Sequence, residues 1–362
     1  MKILHLDTRP DWRGGQHQIL MTLRGQRERG HDVQLMTRRG SPLERRATSE
    51  KFSVSTFSPR FPRLSAFLRL REVLDQGHFD IVHAHDPHAL SAAWLARASR
   101  RSALVVSRRV AYRLSQGRVG PARYRAAHRI IAVSRFVANS VIASGIPPSL
   151  VGVVYDGVEI PAVTSSETRR EARRRWIIAD QAPLLGCVGY LLPEKGQELL
   201  VRAMKLVVAE FPECKLILAG DGPLRPRLRS LAAQLELQNA IIFTGFIAEV
   251  ETVYQALDIF VFPSIAEPLG SSLLAAMAHG LPVIALASGG VPEIIENRNN
   301  GVQVADSPEL ASAICSLLRD PQAAKQLGDA ARRTIERRFT VDLLAENTLQ
   351  EYEHAIRAFR AR

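Results

Sequence analysis

Short apolar runs alternate with helical patterns along this chain, and the alternation occurs in two series. In the first half we predict strands at Lys2–Leu6, Asp32–Met36, Asp80–Ala84, Ala103–Ser107 and Ile130–Val133, and helices at Gln16–Arg29 and Leu64–Asp75. In the second half we predict strands at Leu184–Gly189, Lys215–Ala219, Ile241–Thr244, Ile259–Phe262 and Val283–Leu286, and helices at Gln197–Glu210, Arg225–Leu235 and Ser271–His279. Strands separated by helices indicate parallel sheets covered on both faces. We therefore expect an α/β fold of two Rossmann-like domains.

The break between the two domains is predicted near 156–166, where Gly157, Pro161 and a cluster of Thr and Ser interrupt the pattern. We assign residues 1–160 to the first domain and residues 161–340 to the second. Residues 341–362 are expected to form a helix that packs back toward the first domain. In open parallel sheets, ligands bind at the carboxyl ends of the strands. Two facing domains would therefore place a ligand site in the cleft between them.

The composition is that of a globular protein. Of the 362 residues, 46% are hydrophobic, which is enough for two cores. The longest apolar stretches, such as 103–106 and 259–262, have the length of strands and not of membrane spans. Asp7 interrupts the N-terminal apolar run, so we expect no signal peptide. The cysteines lack metal-ligand spacing and are expected to be small core residues in a reducing cytoplasm: Cys187, Cys214 and Cys315.

Positive charge is concentrated in the first half of the chain. Residues 1–160 contain 26 Lys or Arg and 12 Asp or Glu, a net charge of +14, whereas the remainder has a net charge of −2. Such asymmetry indicates an anionic partner, either an acidic lipid surface or an acidic substrate. The alternative is a solvated arginine-rich surface. Nucleic acid is disfavoured, because the basic half lacks interleaved aromatic residues and any reader motif.

The stretch 263–282 is the most informative for function. The strand at 259–262 is followed by a carboxylate, Glu267, then by a Pro-Leu-Gly turn ending at Gly270, and Ser271 and Ser272 open an apolar helix. The first turn of a helix has unpaired N–H groups and a partial positive charge, which together bind phosphate. A carboxylate beside it can accept hydrogen bonds from sugar hydroxyls. The stretch therefore favours a nucleotide-activated sugar as ligand.

Other segments at strand ends carry further candidate residues. Gly15 and Gln16 open the first helix, where glycine lets the backbone approach a ligand; a plain tight turn is the alternative. Lys195 lies in a loop between a strand and a helix and could reach an anion, although a solvated loop lysine is the alternative. Arg108 and Arg109 end a strand on the basic side, and either could pair with phosphate or carboxylate.

The histidines after one apolar strand raise a metal hypothesis. His83 and His85 form a His-x-His pair, which can bind zinc. A closed site needs more ligands, and the remaining histidines, His5 among them, form no second cluster along the sequence. No Asp-x-Asp motif is present either. We therefore expect no metal site and no cofactor.

Taken together, these segments resemble the retaining family 4 (group 1) glycosyltransferases of the GT-B fold, and the resemblance covers nearly the whole chain. It rests on the following segments: Gly14-Gly15, the strand 80–85, Ile131-Ala-Val-Ser134, Asp156-Gly157-Val158, Pro193-Glu-Lys-Gly196, Gly220-Asp-Gly-Pro223, Phe243-Thr-Gly245 and Glu267-Pro-Leu-Gly270. Their order and spacing are specific for the family and uninformative about the substrate. The arginine-rich segments around Gly15 and Ser107 resemble a subgroup seen in lipopolysaccharide and capsule assembly.

The resemblance implies a role for each of these segments. The first domain would bind the acceptor and the second the donor, with Lys195 neutralising the leaving diphosphate and Glu267 holding the donor sugar. Donor binding is expected at Gly15, Gln16, Tyr190, Gly245, Phe246, Ile247, Leu269, Gly270, Ser271 and Ser272. Transfer would occur with retention, by front-face attack and without a metal ion. Stabilisation of the leaving group would then carry most of the catalysis.

Three positions depart from the family pattern. Ala275 stands where a second Glu usually binds the nucleotide ribose, and Tyr190 stands where an Arg is usual. A His usually ends the strand where this chain has Ser107, Arg108 and Arg109. We expect Arg108 or Arg109 to replace the missing charge and therefore to take part in catalysis.

The expected function is transfer of a sugar from a nucleoside diphosphate sugar to a lipid-linked or cell-envelope glycan. The protein would be cytoplasmic, and the basic first half would dock on the anionic inner face of the membrane or hold a phosphorylated acceptor. Two alternatives remain open. One is a sugar-nucleotide epimerase of the same fold, and the other is a non-catalytic GT-B scaffold, which the three departures would explain.

Overall fold

The computed structural model of the chain describes residues 1–114 and 119–361. It divides into two units, of which the first contains residues 1–157 and 341–362 and the second contains residues 158–340. The C-terminal segment therefore belongs to the first unit. In the described part of the chain, no helix has both the length and the apolar character that a bilayer span requires.

The first unit is a parallel sheet with helices. Its strands are β1 Lys2–Leu6, β2 Asp32–Arg38, β3 Ser53–Phe57, β4 Ile81–Ala84, β5 Ala103–Arg108, β6 Arg129–Ala132 and β7 Val151–Val153. Its helices are α1 Gly14–Glu28, α2 Pro42–Ser49, α3 Pro62–Gln76, α4 Pro87–Leu95, α5 Val119–Arg125, α6 Arg135–Ile142 and, after the second unit, α14 Val341–Arg360. The described strands are arranged in the order β3-β2-β1-β4-β5-β6-β7, and all pairs are parallel.

The C-terminal helix α14 completes the core of the first unit. Leu344, Tyr352 and Ala355 are buried among core residues of β1, α1 and β5. The helix lies very close to α1, since a Cβ added at Gly25 would be 2.6 Å from the Cβ of Ala345. Glycine at position 25 therefore permits this approach.

The second unit repeats the architecture. Its strands are β8 Leu184–Val188, β9 Lys215–Ala219, β10 Ile241–Gly245, β11 Ile259–Phe262, β12 Val283–Leu286 and β13 Val302–Val304. Its helices are α7 Ser166–Arg174, α8 Gln197–Glu210, α9 Arg225–Gln234, α10 Glu251–Ala256, α11 Ser271–Ala278, α12 Ser307–Arg319 and α13 Pro321–Arg338. The described strands follow the order β10-β9-β8-β11-β12-β13, again all parallel. The prediction of two parallel-sheet, Rossmann-like domains is confirmed.

The strands that the sequence did not indicate lie at sheet edges. They are β3, β7 and β13. The burial of β3 shows the reason, because only Phe57 at its end is buried and the other four residues are exposed or half-buried. An edge strand covers less apolar surface than a central one, so its sequence carries a weaker apolar signal.

Candidate active site

In the second unit, a lysine and a carboxylate are held together at one sheet edge. Lys195 follows β8 and Glu267 follows β11, and these two strands are direct neighbours. The Nζ of Lys195 lies 2.6 Å from the Oε2 of Glu267. The hydroxyl of the buried Ser264 donates to the same oxygen, also at 2.6 Å. Glu267 is 9% exposed, so two donors hold a nearly buried carboxylate in one orientation.

The loops that carry this pair are packed backbone against backbone. Gly196, beside the lysine, has φ +66°, and a Cβ there would lie 1.9 Å from the carbonyl oxygen of Pro263. The amide of Ile265 donates to the carbonyl of Glu194 at 2.7 Å. Any side chain at position 196 would separate the two loops. The glycine therefore allows the lysine to reach Glu267.

A third loop, after β12, contacts the backbone of Glu267 and Ala266. The amide of Gly290 donates to the carbonyl of Glu267 at 2.8 Å, and the hydroxyl of Ser288 accepts from the amide of Ala266 at 2.7 Å. A Cβ at Gly289 would lie 2.1 Å from the Glu267 carbonyl oxygen. Ser264 and this loop were not among the predicted site residues. The Gly289-Gly290 pair after a strand was the signal that could have found it.

Helix α11 begins directly after Glu267 and its turn. Its N-cap residue is Gly270, at φ 115°, and no side chain caps the helix. Ser271 and Ser272 form its first turn and are half-buried, whereas Leu269 is buried. A helix start without a side-chain cap leaves N–H groups for an anion, and the helix dipole favours negative charge there.

The predicted nucleotide-binding residues lie at the same sheet edge. Gly245 ends β10, and its carbonyl accepts from the amide of Gly220 at 3.0 Å. Phe246 is 73% exposed, Ile247 is half-buried, and Tyr190 after β8 is 46% exposed. The loop after β10 carries the exposed ring of Phe246, and the loop after β8 carries the ring of Tyr190 and the ammonium group of Lys195. The loop after β11 carries the carboxylate of Glu267. That sequence of groups matches the parts of a nucleotide-activated sugar.

The first unit brings a second set of candidate residues together. Gly15 lies beside Arg109, because a Cβ added at Gly15 would be 3.8 Å from the Cδ of Arg109. Arg109 forms an ion pair with Asp156. The buried Gln16 donates to the Oδ1 of Asp7 at 3.2 Å. Burial, and secondarily the nearby negative charge of Asp86, raises the pKa of Asp7 to about 8.

Arg108 ends β5 and Arg109 follows it, and the two arginines have different surroundings. Arg108 is buried, and its guanidinium donates to the carbonyl of Tyr112 and to the hydroxyl of Tyr124. It also lies over the ring of Tyr112, 4.9 Å from the ring centre. Arg108 is therefore bound within the first unit, and Arg109 is the arginine beside the glycine turn.

His5, His83 and His85 form one cluster, although the sequence indicated no histidine cluster beyond the pair of His83 and His85. Strands β1 and β4 are neighbours with His5 opposite His83, and ligand nitrogens of all three rings lie within 4.8 Å of one another. Three helices and two strands separate His5 from His83 in the sequence, so only the strand pairing brings them together.

Most nitrogens of this cluster bond to protein groups. His5 bonds His85 at 2.8 Å and the carbonyl oxygen of the Gln26 side chain at 2.8 Å. His83 bonds the hydroxyl of Tyr352 at 2.6 Å and that of Ser107 at 2.8 Å. Since an amide oxygen only accepts, the Nε2 of His5 carries the proton, and its Nδ1 accepts from His85.

Burial keeps the three rings uncharged. It lowers the pKa of His5 to about 4 and places the pKa values of His83 and His85 well below the usual range. The Nδ1 of His85 is buried without a partner among the described residues. Neutral imidazoles could ligate a metal, but an ion bound by all three rings would have to replace existing hydrogen bonds.

Two family profiles match the chain. Residues 12–160 match "Glycosyltransferase Family 4", and residues 168–334 match "Glycosyl transferases group 1". The D-inositol 3-phosphate glycosyltransferase of Streptomyces bingchenggensis is 28% identical over 78% of this chain and 68% of its own length. The GDP-mannose-dependent alpha-(1-6)-phosphatidylinositol monomannoside mannosyltransferase of Mycolicibacterium smegmatis is 30% identical over 55% of each chain. The matches to these two relatives span 68% and 55% of the relatives' own lengths.

The fold is also that of a solved structure. Anabaena HepE, in complex with UDP and glucose, superposes with a TM-score of 0.86 over 97% of this chain and 98% of that chain, at 24% sequence identity. The two profiles together account for both units. The chain belongs to the group 1 glycosyltransferases and has the GT-B fold.

Proposed function

We propose that this protein transfers a sugar from a nucleoside diphosphate sugar to an acceptor hydroxyl, with retention of the anomeric configuration. The observation that carries the proposal is the pair of Lys195 and Glu267 at the sheet edge from which α11 begins. Such a pair offers one group for a phosphate and one for a sugar. The UDP bound by the HepE neighbour supports a nucleotide donor.

The groups have complementary tasks in this reaction. The bond between the anomeric carbon and the diphosphate oxygen breaks, and negative charge accumulates on that oxygen. The Lys195 ammonium and the N–H groups at the start of α11 stabilise this charge. Glu267 accepts hydrogen bonds from the sugar hydroxyls. The acceptor oxygen bonds to the same face of the sugar, and its proton passes to the departing diphosphate.

We propose further that no metal ion is required, because a fixed ammonium group and a helix start already supply positive charge for the leaving group. Chelation with EDTA tests this point directly. Turnover that is unchanged by the chelator agrees with the proposal. Turnover that is abolished and restored by Mg²⁺ or Mn²⁺ contradicts it.

The acceptor is proposed to be a lipid-linked or envelope glycan at the inner face of a membrane. The mycobacterial relative acts on a phosphatidylinositol mannoside, and the first half of this chain has a net charge of +14. Leu64 and Leu68, one turn apart on α3, are 57% and 54% exposed, and Phe61 just before the helix is 74% exposed. Arg60 is exposed beside Phe61. A basic helix with an exposed apolar stripe is typical of membrane surfaces.

Vesicle flotation tests the membrane part of the proposal. The protein should float with vesicles that contain anionic phosphatidylglycerol and not with neutral vesicles, and Leu64→Ser with Leu68→Ser should reduce the bound fraction. Leu206→Ser is the matched control, because Leu206 is 56% exposed on α8 in the second unit. Equal flotation with neutral and anionic vesicles would contradict the proposal.

The activity itself is tested with a panel of sugar nucleotides and glycolipid acceptors. Nucleoside diphosphate should be released only when an acceptor is present, and NMR of the product should show the anomeric configuration of the donor. Glu267→Gln should abolish transfer while the protein stays folded. Inversion of configuration would overturn retention, and acceptor-independent turnover would favour another reaction class.

A non-catalytic scaffold is the second candidate, favoured by Ala275 on α11 in place of the usual Glu. Calorimetry separates the two. At 100 times its dissociation constant, a bound sugar nucleotide should stabilise the protein by about 2.7 kcal/mol. A scaffold that has lost the donor site would bind none of the panel.

A further inference from the structure

An arginine-lined cavity in the first unit has no role in the function proposed so far. Its volume is about 270 Å³, and its lining includes Thr8, Arg9, Arg38, Arg63 and His88. Ligand pockets for whole small molecules usually measure about 300–1,000 Å³. This cavity is therefore suited to one charged group of a larger ligand.

The fold places the cavity at the carboxyl edge of the sheet. Thr8 and Arg9 follow β1, and Arg38 is the last residue of β2. Arg63 is in the first turn of α3, and His88 is in the first turn of α4. Strand β1 lies between β2 and β4 in the sheet, so the segments that follow these strands meet here. Ligands of open parallel sheets bind at this edge.

Two of the three arginines of the cavity are not neutralised by a described residue. Neither Arg38 nor Arg63 has a side-chain hydrogen bond or ion pair with any residue that the structure describes. Arg9 pairs with Asp11 at 3.3 Å. The carboxylate of Asp86 is nearby in the chain, but it accepts from Thr8, His88 and Ala89 and does not line the cavity.

Two further features favour an anion with several oxygens. The first turn of α3, which has no side-chain cap among the described residues, borders the cavity and contributes partial positive charge. Guanidinium groups donate several hydrogen bonds in a fixed plane, which matches the oxygens of a phosphate. Three such groups around a space of this size fit a phosphoryl group better than the two oxygens of a carboxylate.

We propose that this cavity binds a phosphoryl group of the acceptor, with Arg38 and Arg63 as its principal ligands. The proposal depends on the proposed transferase function in one respect, the identification of the ligand as the acceptor. The phosphoryl group has two possible sources, a soluble phosphorylated sugar or the headgroup of a lipid-linked acceptor. The same arginines would hold it in either case.

Calorimetric titration of the full chain with inorganic phosphate is the first test. We expect a saturable site with a dissociation constant on the order of 1 mM. Arg38→Ala with Arg63→Ala should weaken it at least about tenfold, because each lost bond is charge-assisted. Arg39→Ala with Arg71→Ala is the matched control, since both side chains are exposed and outside the cavity. It removes the same charge and should leave the phosphate affinity unchanged.

Two outcomes overturn the proposal: no saturable phosphate binding by the wild type, or equal losses in both double variants. Because Arg63 is exposed, Arg63→Gln serves as a second variant if the double substitution prevents folding, and it should also weaken phosphate binding. Sugar nucleotide binding is measured on the same proteins and should be the same in all of them. If none of the proteins, the wild type included, binds a sugar nucleotide, the proposed transferase function fails, whatever the phosphate result.

A second titration identifies the source of the phosphoryl group. Glycerol 3-phosphate and vesicles of phosphatidylglycerol each compete with inorganic phosphate if they occupy the cavity. Competition by glycerol 3-phosphate alone assigns a soluble acceptor, and competition by the vesicles assigns a lipid headgroup. In the variant with Arg38→Ala and Arg63→Ala, neither ligand should compete with inorganic phosphate. Competition that persists in this variant would contradict the assignment.

Discussion

The ammonium of Lys195 and the carboxylate of Glu267 are 2.6 Å apart, although 71 residues separate them in the chain. Ser264 donates to the same carboxylate oxygen and so holds Glu267 in place. Glu267 in turn holds the flexible side chain of Lys195. A lysine fixed in this way presents its charge without having to reorganise when a leaving group develops charge.

Loss of this charge should therefore reduce turnover strongly. We expect Lys195→Gln to lower kcat about 10²–10³-fold, the usual effect of removing one group that stabilises developing charge. Initial rates of nucleoside diphosphate release measure this effect. Lys205→Gln is the control, because Lys205 is an exposed lysine of α8 that pairs with Glu236 and a carbonyl, away from Glu267. A wild-type rate for Lys195→Gln would contradict the catalytic role.

Gly196→Ala should disturb the site through the backbone. The added Cβ would lie 1.9 Å from the carbonyl oxygen of Pro263 at φ +66°, so either the loop or the pair of Lys195 and Glu267 must move. The free energy of unfolding should fall by more than about 3 kcal/mol. Gly30→Ala is the matched control, since Gly30 also has positive φ but nothing within 4 Å of the added Cβ. Its cost should be about 1 kcal/mol, and urea unfolding compares the two. Equal losses would show that the contact with Pro263 is unimportant.

The buried Asp7 should make stability fall as the pH rises. Burial and the charge of Asp86 raise its pKa to about 8, whereas in the unfolded chain an aspartate loses its proton near pH 4. Between these values the folded state binds more protons than the unfolded state, so the free energy of unfolding decreases with increasing pH. The contribution is complete below the unfolded pKa and is lost as the pH rises through the folded value.

Asp7→Asn should remove this dependence. Between pH 6 and 7.5, the slope of the wild type should exceed that of the variant by up to about 1.4 kcal/mol per pH unit. Subtracting the two curves cancels the histidines and cysteines, which both proteins share. Asp32→Asn, at an exposed position, should keep the wild-type slope. Identical slopes for wild type and Asp7→Asn would show that Asp7 is ionised in the folded protein.

Tyr352→Phe should lower the stability of the first unit without exposing additional apolar surface. The tyrosine hydroxyl bonds His83 at 2.6 Å and Gln26 at 3.3 Å, and its loss leaves buried polar groups unpaired, at about 1–3 kcal/mol. Hydrogen exchange of the β4 and β5 amides should therefore accelerate. Tyr112→Phe serves as the control, because that ring is 69% exposed. Unchanged protection of these strands would mean that the hydroxyl contributes nothing.

The central strands could be predicted from the sequence because they are buried on both faces. The predicted bounds of β1, β9 and β11 agree with the structure, since a short, mostly apolar run of that length is typical of a buried strand. The edge strands β3, β7 and β13 were missed, because they bury little and their residues alternate or are few. The candidate groups at strand ends, Lys195 and Glu267, could also be named in advance, since parallel strands bring their carboxyl ends to one edge.

The sequence by itself determined the periodicity, the apolar cores and the glycines that permit close backbone contact, because these depend on neighbouring residues. Only the tertiary structure decided which distant residues meet. Strand order brought His5 to His83, and α14 brought Tyr352 to the same cluster. Four segments formed the cavity lined by Arg9, Arg38, Arg63 and His88. Such contacts depend on the order and register of the strands, and local periodicity determines neither of them.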